Sequence, residues 1–412
     1  MVVDRVRLLV VKATMTVHGG AERDLLRNLP AISKYFDVKF LCLNLRNSQK
    51  NMIESMGIEV LCPNVQWEAL GGIWNEVTAG QERSALSAWI AFDQSTEAIQ
   101  WADVIHLTGG NGSMEFTALV PSDKPMHLHF LEAKPGDSMS HLNPDGSGTW
   151  RPKVMRILQT YQRARINSLF RKFAENERWI VSANSALSAS NLKKIHGIDG
   201  GILYPSVDLS EFPQMPGKGE LSSFESAGVG VLGRYVTTVG RISRFKGTYE
   251  TVDILSGTGV NLVVVGGGSV RERRKLTAYG KKNGVEVMIL SDLSSEAMRS
   301  VMRNSVAIVG LAHGEAFGLT PIESMALGTP PIFVDEGGFR ETIIDEYNGR
   351  LIKRGDLNSW RAALEQAQAQ DIRANWAKAG LARIEELGLT SERHTQRLVE
   401  RLLPLLEKQA IN

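Results

Sequence analysis

Cysteine is nearly absent from this chain of 412 residues, which carries two, Cys42 and Cys62. Two thiols make neither a disulfide framework nor a four-ligand zinc site, so a reduced, cytoplasmic setting is expected. Charge of one sign is also scarce. Basic residues number 47 and acidic residues 45, and the resulting net charge of +2 supplies no field suited to nucleic acid. Any anion site therefore has to be local. Long hydrophobic runs are missing too, so no segment is expected to span a bilayer. The first apolar run, Arg5–Lys12, is too short for the core of a signal peptide. What remains is an ordinary globular composition, 43% hydrophobic and 22% charged. A chain this long is too much for one core and predicts two domains of about 200 residues each.

Arg5–Lys12 reads as a buried parallel strand. It leads through the glycines of HGGAER into a helix with Leu25, Leu26, Leu29 and Ile32 on one face. Strand, glycine turn and helix open a doubly wound sheet. The Gly19-Gly20 pair is either a tight turn or a place where backbone approaches a ligand. Further strands follow at Asp37–Leu45 and Gly57–Cys62, and ADVIHLTGG from Ala102 is another that ends in glycines. Alternating strands and helices predict a parallel sheet with right-handed crossovers. The tryptophan-rich stretch 71–96 fits only helix and loop. KPMHLHFLEAKPGD is a strand on which His127 and His129 share a face. That spacing suits a metal, but no third ligand clusters with them, and a structural role is the commoner one. From Arg151 a long helix is expected, with Val154, Ile157, Leu158, Tyr161, Leu169 and Phe173 as its buried stripe. Its basic remainder (Arg151, Lys153, Arg156, Arg163, Arg165, Arg171, Lys172) reads as a solvated face or as a contact for an anionic membrane.

PQMPGKGELSSFES, from Pro213, is rich in proline, glycine and serine and reads as a linker. Beyond it a strand runs into Gly240-Arg241, then Lys246-Gly247 and a helix. An arginine and a lysine bracketing a turn can converge on a diphosphate, or can be two exposed loop residues. NLVVVGGGSVRERRKL invites comparison with a dinucleotide fingerprint, but Arg271 stands where helix packing needs a small residue, which disfavours a nicotinamide enzyme. The densest stretch is GEAFGLTPIESMALGTPPIFVDEGGFR, Gly314–Arg340. Glu315 and Glu323 flank a turn and a helix start, with Thr320 expected as N-cap, Pro321 as the first helical residue and Glu323 as the third. In a Thr-x-x-Glu pattern the glutamate can simply close a capping box. The helix start otherwise offers free amides to a phosphate or to sugar hydroxyls.

Glu315 to Glu323 with the following TPPIFVDEGGFRETIIDEYNGRLIKRGD resembles the donor-binding half of the retaining glycosyltransferases of family 4, also grouped as glycosyl transferase group 1. The resemblance extends over most of the chain, including HGGAER and the Pro-x-Val-Asp at Pro205, Val207 and Asp208. It implies the GT-B fold, an α/β architecture of two Rossmann-like, doubly wound parallel-sheet domains facing a cleft. On that pattern residues 1–212 form the acceptor-side domain, 213–232 the linker, 233–390 the nucleotide-sugar domain, and 391–412 a helix crossing back to the first. The roles implied follow residue by residue. Gly20 approaches the donor diphosphate, and His129 points at the transferred sugar, with His127 in its place if the register shifts by two. Arg241 and Lys246 hold the diphosphate, beside Gly240 and Gly267. Leu290 and Leu293 meet the base through their backbone, although Ser291 stands where the family has glycine. Glu315 sits by the sugar ring, Ala316, Phe317, Gly318, Leu319 and Thr320 offer backbone donors, and Glu323 holds the ribose. The implied reaction is metal-independent and needs no cofactor. A sugar moves with retention from a UDP- or GDP-type donor to a glycan or lipid-linked acceptor, with a peripheral contact at the inner face of an anionic membrane through 151–178. The competing readings are a GT-B epimerase or phosphorylase, or a non-catalytic sugar- or nucleotide-binding protein.

Overall fold

The computed structural model describes residues 5–15, 19–69, 79–132, 160–213 and 215–410. They divide into two compact units: one holds the residues up to Ser206 together with those from Leu389 onward, the other Val207–Gly388.

The first unit is built on a seven-stranded parallel sheet in the order β3-β2-β1-β4-β5-β6-β7. Its strands are β1 Arg7–Val11, β2 Asp37–Leu41, β3 Glu59–Leu61, β4 Val104–Thr108, β5 Met126–Phe130, β6 Trp179–Ala183 and β7 Gly201–Ile202. Because side chains alternate along a strand, each strand feeds two cores. Leu9, Val11, Ile105, Leu107 and Leu128 pack on one face, and Leu8, Val10, Phe40 and Val104 on the other. That second face is covered by the helix Gly20–Ile32 and by the C-terminal helix Ser391–Ala410, whose Leu398, Leu402 and Leu405 recur at helical spacing and are buried there.

The second unit has a six-stranded parallel sheet, order β10-β9-β8-β11-β12-β13. The strands are β8 Tyr235–Val239, β9 Asn261–Val265, β10 Val287–Leu290, β11 Ile308–Gly310, β12 Pro331–Val334 and β13 Arg350–Ile352. Both sheets are those of doubly wound α/β folds.

Three expectations change in detail. Lys218–Ala227 is a helix within the stretch expected to be a linker, and its Glu220, 2% exposed, takes Arg299 at 3.0 Å and Arg303 at 3.2 Å. Those ion pairs order a segment whose composition suggested none. The helix expected from Arg151 is described over Thr160–Glu175, and residues 151–159 lie outside the described residues. Of the tryptophan-rich stretch, Gly80–Ala91 and Gln94–Trp101 are helices, while 70–78 lie outside the described residues.

Candidate functional site

In an open parallel sheet the ligand crevice opens at the carboxyl ends of the strands, where the chain order reverses. In the second unit that point lies between β8 and β11. Two loops leave it, and close glycine packing joins them. Gly247 has φ +69°, and a Cβ there would come within 2.4 Å of Leu311 Cβ. The His313 amide donates to the Phe245 carbonyl at 2.9 Å. The result is that Lys246 Nζ sits 3.3 Å from Glu315 Oε2, with the two side chains 42% and 28% exposed. A cation and a carboxylate from opposite sides of the switch point therefore meet at an open surface.

Glu315 is held from behind. Gly338 donates its amide to the Glu315 carbonyl at 2.9 Å. Cβ atoms on Gly337 and Gly338 would fall 2.7 Å from the Glu315 carbonyl and 2.2 Å from that of Ala316, so side chains are excluded from both positions. Ala316 and Phe317 are buried, and Gly318 turns the chain at φ +91°. Behind this loop Arg354 binds Glu250 at 2.5 Å, Glu336 at 2.9 Å and the Leu311 carbonyl at 3.1 Å, while His313 lies 3.4 Å from Glu250. Burial raises the Glu250 pKa, but the hydrogen bonds from His313 and Arg354 outweigh it and hold the carboxyl below its ordinary value.

The helix that follows is Leu319–Ala326, and its N-cap is Gly318. Thr320 is therefore the second helical residue rather than the cap, and Glu323 the fifth rather than the third. The capping-box geometry expected from the Thr-x-x-Glu spacing does not form. Glu323 is 2% exposed. Just before this helix the bare Cα of Gly338 lets the chain at Ala316–Phe317 come close, since a Cβ there would lie 2.2 Å from the Ala316 carbonyl oxygen.

Gly240, φ +136°, leaves its Cβ direction to the Lys246 stem at 3.8 Å. Arg241 is exposed on the same turn and contributes to lowering the carboxyl of Glu272, whose main causes are its hydrogen bonds with Ser269. Gly267 follows β9, whose next residue Gly266 packs directly on Gly240. Leu290 ends β10, and Leu290 and Leu293 pack against one apolar cluster. Ser291, expected to be glycine, accepts a hydrogen bond from Arg273 Nη2 at 3.0 Å. Arg273 was not singled out in the sequence.

The first unit has its own switch point, between β1 and β4. Lys12 spans it, donating to the Gly109 carbonyl at 3.1 Å and lying 3.4 Å from Glu22. Burial lowers the Lys12 pKa, and Glu22 opposes the shift. Glu22 in turn accepts from the Gly19 amide at 3.1 Å, which fixes the glycine turn. Gly20 is the first residue of the helix behind it, and His18 lies outside the described residues. A cavity of about 600 Å³ opens here, lined among others by Lys12, Glu22, Gly110, Glu115, Glu132 and Arg165. A wider depression of about 910 Å³ at the amino ends of the strands, around Arg7 and Asp103, contains none of the expected site residues.

His129 does not line that cavity. It is 2% exposed, and its Nε2 lies 3.0 Å from the Leu203 carbonyl. With His106, His127 and His394 it forms a buried histidine cluster on the helix-covered face: the rings of His129 and His394 are 5.8 Å apart, and His106 and His127 share a 2.8 Å Nδ1 contact. The resemblance gave His129 a place at the sugar; its side chain instead packs beneath the C-terminal helix, because β5 alternation turns it to that face. Among the described residues no group of three or more His, Cys, Asp or Glu side chains could hold a metal ion.

Two units, each built on a doubly wound parallel sheet, make a two-unit α/β protein of GT-B type, and solved structures agree on the fold. The chain is similar to Anabaena Alr3699/HepE in complex with UDP and glucose, with a TM-score of 0.70 at 17% identity, covering 97% of this chain and 100% of that one. It is similar also to sucrose-phosphate synthase from Thermosynechococcus elongatus, with a TM-score of 0.71 at 14% identity, covering 98% and 100%. Residues 229–383, which contain the whole Lys246–Glu315 arrangement, match the family model described as glycosyl transferases group 1. Among curated relatives, a D-inositol 3-phosphate glycosyltransferase of Xylanimonas cellulosilytica is 30% identical over 222 residues, 50% of this chain and 53% of the relative. Its namesake from Rhodococcus erythropolis is 27% identical over 259 residues, 58% and 55%. The chain thus spans about half the length of the curated relatives it matches.

Proposed function

We propose that this chain is a retaining glycosyltransferase of the family 4 type, moving a sugar from a nucleotide-diphosphate sugar to a hydroxyl acceptor. The observation that carries the reading is the Lys246–Glu315 contact at the switch point of the second sheet. As the glycosidic bond breaks, negative charge builds on the leaving diphosphate. Lys246, Arg241 and the amides opening the helix Leu319–Ala326 supply positive charge or donors for it. Glu315, leaning on Lys246 before the donor arrives, turns to the sugar ring once the lysine is engaged by phosphate. Glu323 takes the ribose hydroxyls, and the backbone of Ala316–Thr320 the sugar hydroxyls. The cavity beside Lys12 in the first unit takes the acceptor. His129 serves packing in this reading. The complexes of Alr3699/HepE with UDP and UDP-glucose make UDP-glucose the first donor to try.

The test is calorimetric titration with UDP, GDP and ADP, followed by donor hydrolysis and transfer with the nucleotide sugar whose diphosphate binds. Binding of one nucleotide, weakened by Lys246→Ala, supports the reading. No binding of any of the three would sink it.

A further inference from the structure

The chain's two cysteines lie opposite each other on adjacent strands. In the β2–β3 ladder Leu41 pairs with Leu61, and the Cys42 amide donates to the Leu61 carbonyl at 3.0 Å, so Cys42 and Cys62 are the next opposed pair. Adjacent strands stand about 4.7–4.9 Å apart, within the Cα separation of about 4.4–6.8 Å that a disulfide bridges. Both side chains lie on one face. Cys42 belongs to the apolar cluster against which Cys62 packs, and Cys42 Sγ lies 3.8 Å from the Leu61 carbonyl oxygen, toward β3. Both are free thiols, Cys42 buried and Cys62 half-buried.

We propose that Cys42 and Cys62 form an intramolecular disulfide when the protein meets a small disulfide oxidant such as oxidised glutathione. The half-buried Cys62 reacts first. The hydrogen bond from Cys42 and the charge of Lys50 hold its thiol below the ordinary value against the effect of burial, and the same hydrogen bond and burial push Cys42 up. Cys62 thiolate attacks one sulfur of oxidised glutathione, forming a mixed disulfide and releasing one glutathione thiolate. Cys42 loses its proton to solvent and attacks the Cys62 sulfur, releasing the second glutathione. Two protein thiols are oxidised to one disulfide, and one oxidised glutathione is reduced to two thiols. The bond ties the short edge strand β3 to β2. In the reduced setting expected for a chain with so few cysteines, it is reversible.

The experiment treats the native full-length chain with oxidised glutathione, quenches with acid and maps tryptic peptides without reduction. Expected is the peptide Phe40–Arg46 joined to Asn51–Arg83, with an intact mass about 2 Da below that of the reduced chain. Cys42→Ser should stop at the glutathione adduct on Cys62, because the resolving thiol is gone. Three results overturn the proposal: a stable glutathione adduct on Cys62 in the unmodified chain, a cross-link between two chains, or no reaction at either thiol. The peptide map of the unmodified chain decides even if the variant fails to fold.

Discussion

Replacing Lys246 by alanine separates a charge that serves the fold from one that serves a ligand. At 3.3 Å the Lys246–Glu315 attraction is about 5 kcal/mol at an effective dielectric of about 20. The partners are 42% and 28% exposed, however, and exposed pairs of this kind contribute less than about 1 kcal/mol once screening and side-chain ordering are included. Lys246→Ala should therefore leave the thermal transition nearly unchanged. A cation facing a leaving diphosphate is worth much more, because the negative charge already there grows as the bond breaks. Losing one preorganised donor costs roughly a hundred-fold in turnover, about 2.7 kcal/mol. The assay pairs a melting curve by circular dichroism with donor turnover at saturating acceptor or, lacking one, donor hydrolysis. Wild-type turnover in the variant would refute the reasoning. So would a fall in melting temperature large enough to explain the lost rate.

Arg241→Ala should lower turnover on a similar scale, about a hundred-fold, with no loss of fold, since its side chain is exposed; unchanged rates place the diphosphate elsewhere. Glu323→Gln should weaken nucleotide binding at least about tenfold, because the amide keeps the shape of the side chain and loses its charge; calorimetry with the nucleotide alone checks it. Gly338→Ala should cost about 1–3 kcal/mol and lower activity through displacement of Glu315, since the new Cβ would lie 2.2 Å from the Ala316 carbonyl; denaturant melts and rates together test it. Acid should destabilise the first unit early. Burial, with a smaller push from His394, lowers His106 to about 3, and burial also lowers His127, His129 and His394. The unfolded chain takes up these protons near pH 6.5 and the folded one only well below, so stability is complete above that range and falls as pH drops toward 3. For His106 alone the loss between pH 7 and pH 5 is about 2 kcal/mol. Equal stability at pH 7 and pH 5, measured by denaturant unfolding, would contradict this. Co-sedimentation with anionic vesicles tests the basic stretch 151–178; binding equal to that on neutral vesicles rejects it.

Much of the fold could be read along the chain because its causes are local. Runs such as Leu8–Val11 and Leu262–Val265 are apolar without alternation, as strands covered on both faces must be. Glycines at Gly240, Gly266 and Gly318 mark turns that need positive φ. The organising stretch Gly314–Arg340 likewise announced its own importance through two glutamates and a helix start.

The rest depended on contacts between residues far apart in sequence. Thr320 has the chemistry of an N-cap, yet Gly318 takes that position at φ +91°, in a loop that packs against Gly338, some twenty residues on. His129 has the sequence position of a sugar ligand, but strand alternation and a helix from the far end of the chain bury it among other histidines. Lys12 gives no signal within its own apolar run; only the neighbouring of β1 and β4 places its amine on Gly109. The two cysteines read separately as members of two strands, and it is the register between those strands that sets one against the other. The sequence by itself determined most of the strands, helices and turns, since propensity and pattern act over a few residues. Tertiary structure alone decided which charges meet, which side chains are shielded and which thiols face each other, since those depend on strand order and register.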